Sequence, residues 1–592
     1  VSLGGGLLAR GAVAAAGPAD LIVTDADIIT FDPVRPRAQA LAVRGGLIQA
    51  VGSNAEVRAL RNAATRVVEA GGRTLIPGLN DSHLHPTRAG RFYAMELRWD
   101  GVPSLQQALS MIAQQASRTP SGHWVRVVGG WSPHQFAERR MPTPGELTRA
   151  APDTPVYVLF LYSRGFLNRA AVKLLGLSPA TPTPPGTAYE FTADGGAIIH
   201  AVPNPDLLYA TIGALPALTA AGQAESTRHF YRELNRFGLT SVIDAGGGGH
   251  RFPEDYAGSD ALAAAGELPV RISKYLFPQR KGDELAEFQQ WTREWEVHAN
   301  RAAAIMNAYV VRGGGEFLAW AAGDYENFLA AEPDITTRPG WRPELLAVTR
   351  HLLSRRWPLR IHATYDASVN HILDVFDQAH ALEVAEGRLG FAGIRWILDH
   401  GETLQAPTLK RVRVLGGGVA MQARLAYAGE YFLDRYGEEM ARNAPPLRDV
   451  IEAGLPLGLG SDGTRVASYN PWITLYWAIT GKSLGGTELH GPRHRLSRLE
   501  ALYYHTVGSA WMSQEELLKG RLKPGQFADF ALLSEPYLTV GDEALRHIES
   551  ELTVMSGRPV YAAGAFADWV PPLLPLRPAW SPVNTYGGYY AG

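Results

Sequence analysis

Through the middle of the chain, short apolar runs rich in β-branched residues alternate with longer amphipathic stretches. This order constrains the fold more than anything else in the sequence. The runs include LTSVIDAGGG (239–248), VRISKYLF (270–277), LRIHATYD (359–366), IRWILDHGE (394–402), VAMQARLA (419–426) and LPLGLGSDGT (455–464), with helical segments such as SVNHILDVFDQAHAL between them. Strand-then-helix repetition predicts an α/β chain with a parallel sheet. Sustained over this length it favours a closed (β/α)₈ barrel, with an open doubly wound sheet as the alternative. A barrel needs about 250 residues, and the chain has 592, so accessory structure is expected.

Two separated segments share a Gly-punctuated β texture. One is 21–77, with LIVTDADIITFD, AQALAVRGGLIQAVG and TRVVEAGGRTLIPG; the other is 516–566, with GRLKPGQFADFALLS and LTVMSGRPVYAAG. Their likeness predicts one small composite β-sandwich bracketing a barrel at 78–515. Residues 97–205 hold too much material for one βα unit and read as an inserted subdomain at the barrel mouth. The Pro- and aromatic-rich end, 567–592, reads as an arm over the surface or a neighbouring subunit, or as a disordered tail. Residues 1–20, small and almost uncharged, read either as the remnant of an export signal or as a plain Gly/Ala leader. An exported, periplasmic protein and a cytoplasmic one are therefore both open.

Composition removes several function classes. There is no cysteine, which excludes disulfides, thiolate metal sites and a cysteine nucleophile. With 56 basic against 58 acidic residues, the chain carries no field for steering nucleic acid or an anionic membrane. No run is apolar enough to span a bilayer. A small-molecule substrate is the expected partner, and a homo-oligomer is open.

The chemistry-bearing residues cluster at predicted strand ends. LIPGLNDSHLHP carries His83 and His85, which alternation along a strand places on one face. Alone this is weak, because 17 histidines in 592 residues yield roughly half an HxH by chance. His362 follows PLRI, His400 follows IRWILD, and Asp462 follows LPLGLGS. Each stands where a barrel strand meets its loop, the rim on which barrel enzymes gather catalytic groups. Imidazole and carboxylate suit Zn²⁺ or a similar divalent ion. Such an ion activates water and polarises a carbonyl, and Asp462 can take the water's proton and pass it on.

These motifs, in this order, resemble the amidohydrolase superfamily. RLEALYYHTVGSAWM and KGRLKPGQFADFALL are similar to that family's closing segments, and GGWSPHQF with the insert is similar to the large branch that includes N-substituted formamide deformylases. The resemblance runs from about residue 20 to 566. It implies a TIM-type barrel with His83 and His85 as first-strand metal ligands, and His362 and His400 as ligands from the fifth and sixth strands. Asp462 is implied as the eighth-strand metal-binding and catalytic carboxylate, and the flanking β segments as the composite sandwich.

The sequence departs from the family pattern where many relatives carry a carboxylated lysine after the fourth strand. AAIMNAYVVRGGGEFL (303–318) has no lysine. Either one ion is held by the histidines and Asp462, or Glu316 supplies the missing oxygen donor; Lys274 is a lesser candidate for carboxylation. The stretch LYSRGFLNRAAV has Arg164 to Phe166 where some relatives have a histidine. Trp131, His134, Tyr365 and Arg424 are candidate substrate contacts, and Asp366 and Glu402 candidate orienting groups. The expected activity is hydrolysis of a C–N bond in an amide, formamide or cyclic amide by metal-activated water, with zinc as one or two ions. An ester or lactone hydrolase at the same site, or an inactive barrel serving as a scaffold, are the alternatives.

Overall fold

The computed structural model describes residues 17–590 apart from 202–203, 248–250, 296, 298–307 and 325–327. Most of the leader at 1–20, and the start of the fourth-strand stretch at 303–307, lie outside the described residues.

Eight parallel strands form the central sheet in sequence order. They are β1 (Leu79–Leu84), β2 (Leu239–Asp244), β3 (Arg271–Leu276), β4 (Tyr309–Gly314), β5 (Leu359–Ala363), β6 (Trp396–His400), β7 (Gly417–Gln422) and β8 (Leu457–Gly460). Just past β8 the backbone returns to β1, with Asp462 N donating to His83 O at 2.9 Å and His85 N donating to Gly463 O at 3.2 Å. These bonds join the two edges, so the sheet is a TIM-type barrel and not an open one. Ile243, Tyr275, Ile397, Ala420 and Met512 form a buried cluster of their own, which fills the interior as barrels require.

The sandwich is composite. Strand Phe530–Leu533 pairs antiparallel with Thr74–Pro77, at Phe530–Pro77, Ala531–Ile76 and Leu532–Leu75. That pairing places Ser550–Met555 and Arg558–Ala562 from the C-terminal side in one six-stranded sheet with Asp27–Ile29 from the N-terminal side. A four-stranded sheet of Leu21–Thr24, Ala40–Arg44, Leu47–Gly52 and Arg66–Glu69 faces it. Leu21, Val23, Leu41, Leu75, Phe530, Leu532 and Val554 share the core between them. Only Gly78 separates Thr74–Pro77 from β1, so the sandwich leads directly into the strand that carries His83 and His85.

Between β1 and β2 stands a separate five-stranded sheet, ordered Thr187–Phe191, Ala197–Ala201, Arg164–Leu167, Val156–Phe160, Val125–Val128. The C-terminal arm lies along this chain's own surface. Ser581 Oγ donates to Ala94 O at 2.7 Å, and Tyr590 N donates to Asp100 O at 2.9 Å. Among the described residues no helix is long and apolar enough to cross a membrane.

Candidate metal centre

The four histidines and Asp462 converge at the C-terminal mouth of the barrel, and Glu316 sits in their midst. Its Oε2 lies 3.4 Å from His83 Nε2, 3.4 Å from His362 Nδ1 and 3.6 Å from His400 Nε2, while Oε1 lies 3.8 Å from His85 Nε2. Asp462 Oδ1 is 3.1 Å from His85 Nε2 and 3.6 Å from His83 Nε2. All six side chains are buried.

Local structure explains how Glu316 arrives there. A Cβ on Gly313 would meet Pro358 O at 2.0 Å, so only glycine lets β4 pass this close to β5. Beyond it, Gly315 N donates to Leu276 O at 2.6 Å, Glu316 N to Ala245 O at 3.2 Å, and Glu316 O accepts from His362 N at 2.8 Å. The carboxylate is thereby pinned to the ends of the strands on either side. His400 and Asp462 turn off their strands with φ of +80° and +58°. That left-handed conformation is costly for residues other than glycine and is tolerated where the surroundings enforce it.

Two groups of side chains can each hold a metal ion: His83, Glu316 and His400, and His83, His85 and Asp462, with ligand atoms within 4.8 Å of one another in each. Donors at about 2.0–2.1 Å from a tetrahedral ion lie about 3.3 Å apart, close to the separations observed. Among the described residues, His83 Nε2 and both ring nitrogens of His400 are buried with no hydrogen-bond partner, a costly arrangement that a cation relieves. The donor set therefore fits a divalent ion.

Electrostatics agree. Burial pushes against charge on Glu316, yet His83, His362 and His400 together hold its carboxyl well below the usual range. Burial likewise opposes charge on Asp462, and His83, His85 and His400 hold it low. Burial, with Arg424 and His362 nearby, holds His400 well below the usual imidazole value, which leaves it neutral and able to ligate.

The orienting groups were not among the sequence candidates. His83 Nδ1 contacts Asp399 Oδ1 at 3.0 Å, and Arg360 Nε donates to Asp399 Oδ2 at 2.9 Å while its Nη1 donates to Ser82 O at 2.9 Å. Asp81 accepts from His83 N at 3.0 Å and from Ser461 Oγ at 2.6 Å, tying β1 to the loop after β8. His85 Nδ1 contacts Gly246 O, and His362 Nε2 lies 3.4 Å from Asp324 Oδ1. A signal existed for two of these: Arg360 and Asp81 each precede a histidine by two, the spacing that shares a strand face.

The other sequence candidates have different surroundings. Trp131 is buried against Trp99, Phe136 and Phe160, with its indole donating to Leu159 O at 2.9 Å. His134 packs on Tyr431 with ring centroids 5.2 Å apart. Tyr365 OH accepts from Tyr436 OH at 2.9 Å. Arg424 Nε donates to Glu402 Oε1 at 2.9 Å, and its Nη2 to Thr364 Oγ1 at 3.1 Å, so this arginine already has a carboxylate. Lys274 stands 3.4 Å over the Tyr309 ring and not with the imidazoles; burial lowers its pKa to about 8.

A barrel with imidazoles and carboxylates gathered at its C-terminal mouth defines a barrel protein with a metal-type site. Comparison with known proteins narrows the class. Residues 66–561 match the amidohydrolase family, described as "Amidohydrolase family". The chain belongs to this family and is a hydrolase. It is 25% identical over 559 residues to an N-substituted formamide deformylase of Arthrobacter pascens, covering 91% of this chain and 97% of that one. It is 24% identical to the putative amidohydrolase YtcJ of Bacillus subtilis (strain 168), covering 89% and 96%. Among solved structures it shares its fold with an uncharacterized metal-dependent hydrolase of Pyrococcus horikoshii OT3, with a TM-score of 0.61 at 19% identity over 88% of this chain and 99% of that one.

Proposed function

We propose that this hydrolase cleaves a C–N bond of an amide, formamide or cyclic amide, with a divalent metal, best matched by zinc, held by His83, His85, His362, His400, Glu316 and Asp462. The observation that carries this reading is the Glu316 carboxylate within 3.4–3.8 Å of four buried imidazoles. It supplies the oxygen donor expected of the missing lysine, and so supports catalysis over an inactive scaffold. The similarity to an N-substituted formamide deformylase supports the choice of bond.

A bound zinc ion supplies Lewis acidity, lowering the pKa of water and polarising the carbonyl. Asp462, ionised at neutral pH and within 3.1 Å of His85, takes the proton of the attacking water and delivers it to the departing nitrogen. Asp399, clamped by Arg360, keeps His83 in the tautomer that offers Nε2. His85 is oriented in the same way by Gly246 O.

The test is elemental analysis of the purified protein followed by turnover on paired N-acyl amides and esters of one skeleton. One or two equivalents of zinc, with amide turnover abolished by chelator and restored by zinc, is the expected result. Chelator-indifferent turnover, or a higher kcat/KM for every ester than for its amide partner than intrinsic reactivity explains, overturns the assignment.

A further inference from the structure

A second buried polar cluster lies where the five-stranded insert sheet meets the loops after β1 and β8. Arg465, three residues past Asp462, is only 3% exposed. Its Cζ stands 5.4 Å from the ring centroid of Tyr209, on the insert helix Asp206–Gly213. Its Nη1 is buried without a hydrogen-bond partner, as is the hydroxyl of Tyr157 on the insert sheet, and the Arg465 charge acts on both phenols. Among the described residues Arg465 forms no ion pair.

This cluster adjoins the metal centre. Tyr162 and Tyr209 pack with tilted rings, centroids 5.6 Å apart, and Arg88, one turn beyond His85, interacts electrostatically with both and with Asp462 and Glu316. The Arg88 Nη1 and the His85 ring flank the same face of Gly247, 3.5 Å and 2.7 Å from where a Cβ would stand. Arg88 thus lies in the field of two carboxylates, whereas Arg465 has no ion-pair partner among the described residues. A buried guanidinium without an anion is costly, and its planar fork matches a carboxylate.

We propose that the substrate is a carboxylate-bearing amide of the N-acyl amino acid type, its carboxylate seated against Arg465 and the Tyr157 hydroxyl while its amide reaches the metal centre past Arg88. This rests on the hydrolase reading above. One uncompensated guanidinium selects a monoanion; a phosphate dianion is the weaker match.

The test is direct binding, which needs no turnover. N-acetyl derivatives of glycine, leucine, phenylalanine and glutamate, their C-terminal amides, and phenyl phosphate are titrated into the zinc-loaded protein by calorimetry. At least one N-acetyl amino acid binds about 10- to 100-fold more tightly than its amide, the range for a charge-assisted hydrogen-bonded pair, and more tightly than phenyl phosphate. Arg465→Met removes that preference and Arg465→Lys restores part of it. Equal affinity for acids and amides on the unaltered protein overturns the proposal whatever the variants do. So does a preference that survives Arg465→Met, tighter phosphate binding, or no binding by any of the acids. Turnover is read separately: selective binding of the acids with no hydrolysis of any amide sinks the hydrolase reading and leaves the anion pocket standing.

Discussion

At the scale of single residues, the proposed reaction gives the two carboxylates at the centre separate duties. Asp462 is placed to move a proton, so Asp462→Asn keeps the fold and lowers kcat by about a thousandfold or more; turnover within tenfold of the parent removes it from the mechanism. Glu316 sits amid four imidazoles as a donor, so Glu316→Gln lowers the zinc content by at least one equivalent where two are bound, as read by elemental analysis. Asp399 acts through His83: Asp399→Asn weakens zinc affinity by about 10- to 100-fold, measured by competition with a chromophoric chelator. His83, His85, His362, His400 and Asp462 were legible because each ends an apolar run. Asp399 was not singled out, although it adjoins His400, because a carboxylate inside a strand declares no partner until Arg360 and His83 are brought against it.

At the scale of elements, a buried ionic knot joins the barrel strands to the segment that follows the barrel. Glu515 pairs with Lys519 Nζ at 2.6 Å and with Arg312 Nη2 of β4 at 2.8 Å, and Lys519 Nζ donates to Ser241 Oγ of β2. Burial opposes charge on Glu515, but Lys519 and Arg312 overcome it and lower its pKa to about 2. The folded value lies below the unfolded one, so the stabilisation is complete above about pH 4.5 and is lost as pH falls through about 2. Its size is on the order of 3 kcal/mol by linkage. Glu515→Gln leaves the buried Lys519 and the half-buried Arg312 without their carboxylate and costs about 3–5 kcal/mol at neutral pH. Urea midpoints of parent and variant should converge as pH approaches 2; a constant difference down to that pH contradicts the assignment. The βα alternation was legible because strands and helices write different hydrophobic periods. The approach of β4 to β5 was not, because it depends on what lies opposite Gly313.

At the scale of the whole molecule, the sandwich and the barrel are coupled through the one-residue link into β1. Leu532, fully buried in the sandwich core and opposite Leu75, is the point to probe. Leu532→Ala costs about 2–5 kcal/mol and moves the entire denaturation curve; a separate early transition with zinc still bound would show the two units to be independent. By itself the sequence determined the α/β class with a parallel sheet, the kinship of the two flanking β segments and the strand-end histidines and aspartate as candidate ligands. These are written in local periodicity and in residue types whose chemistry is fixed. Only the tertiary structure decided that Glu316 enters the ring of imidazoles, that Arg424 is paired with Glu402 while Arg465 has no ion pair among the described residues, and that the C-terminal arm lies on its own chain. Those outcomes depend on which side chains meet across hundreds of residues, and desolvation and pairing act only after the chain has closed on itself.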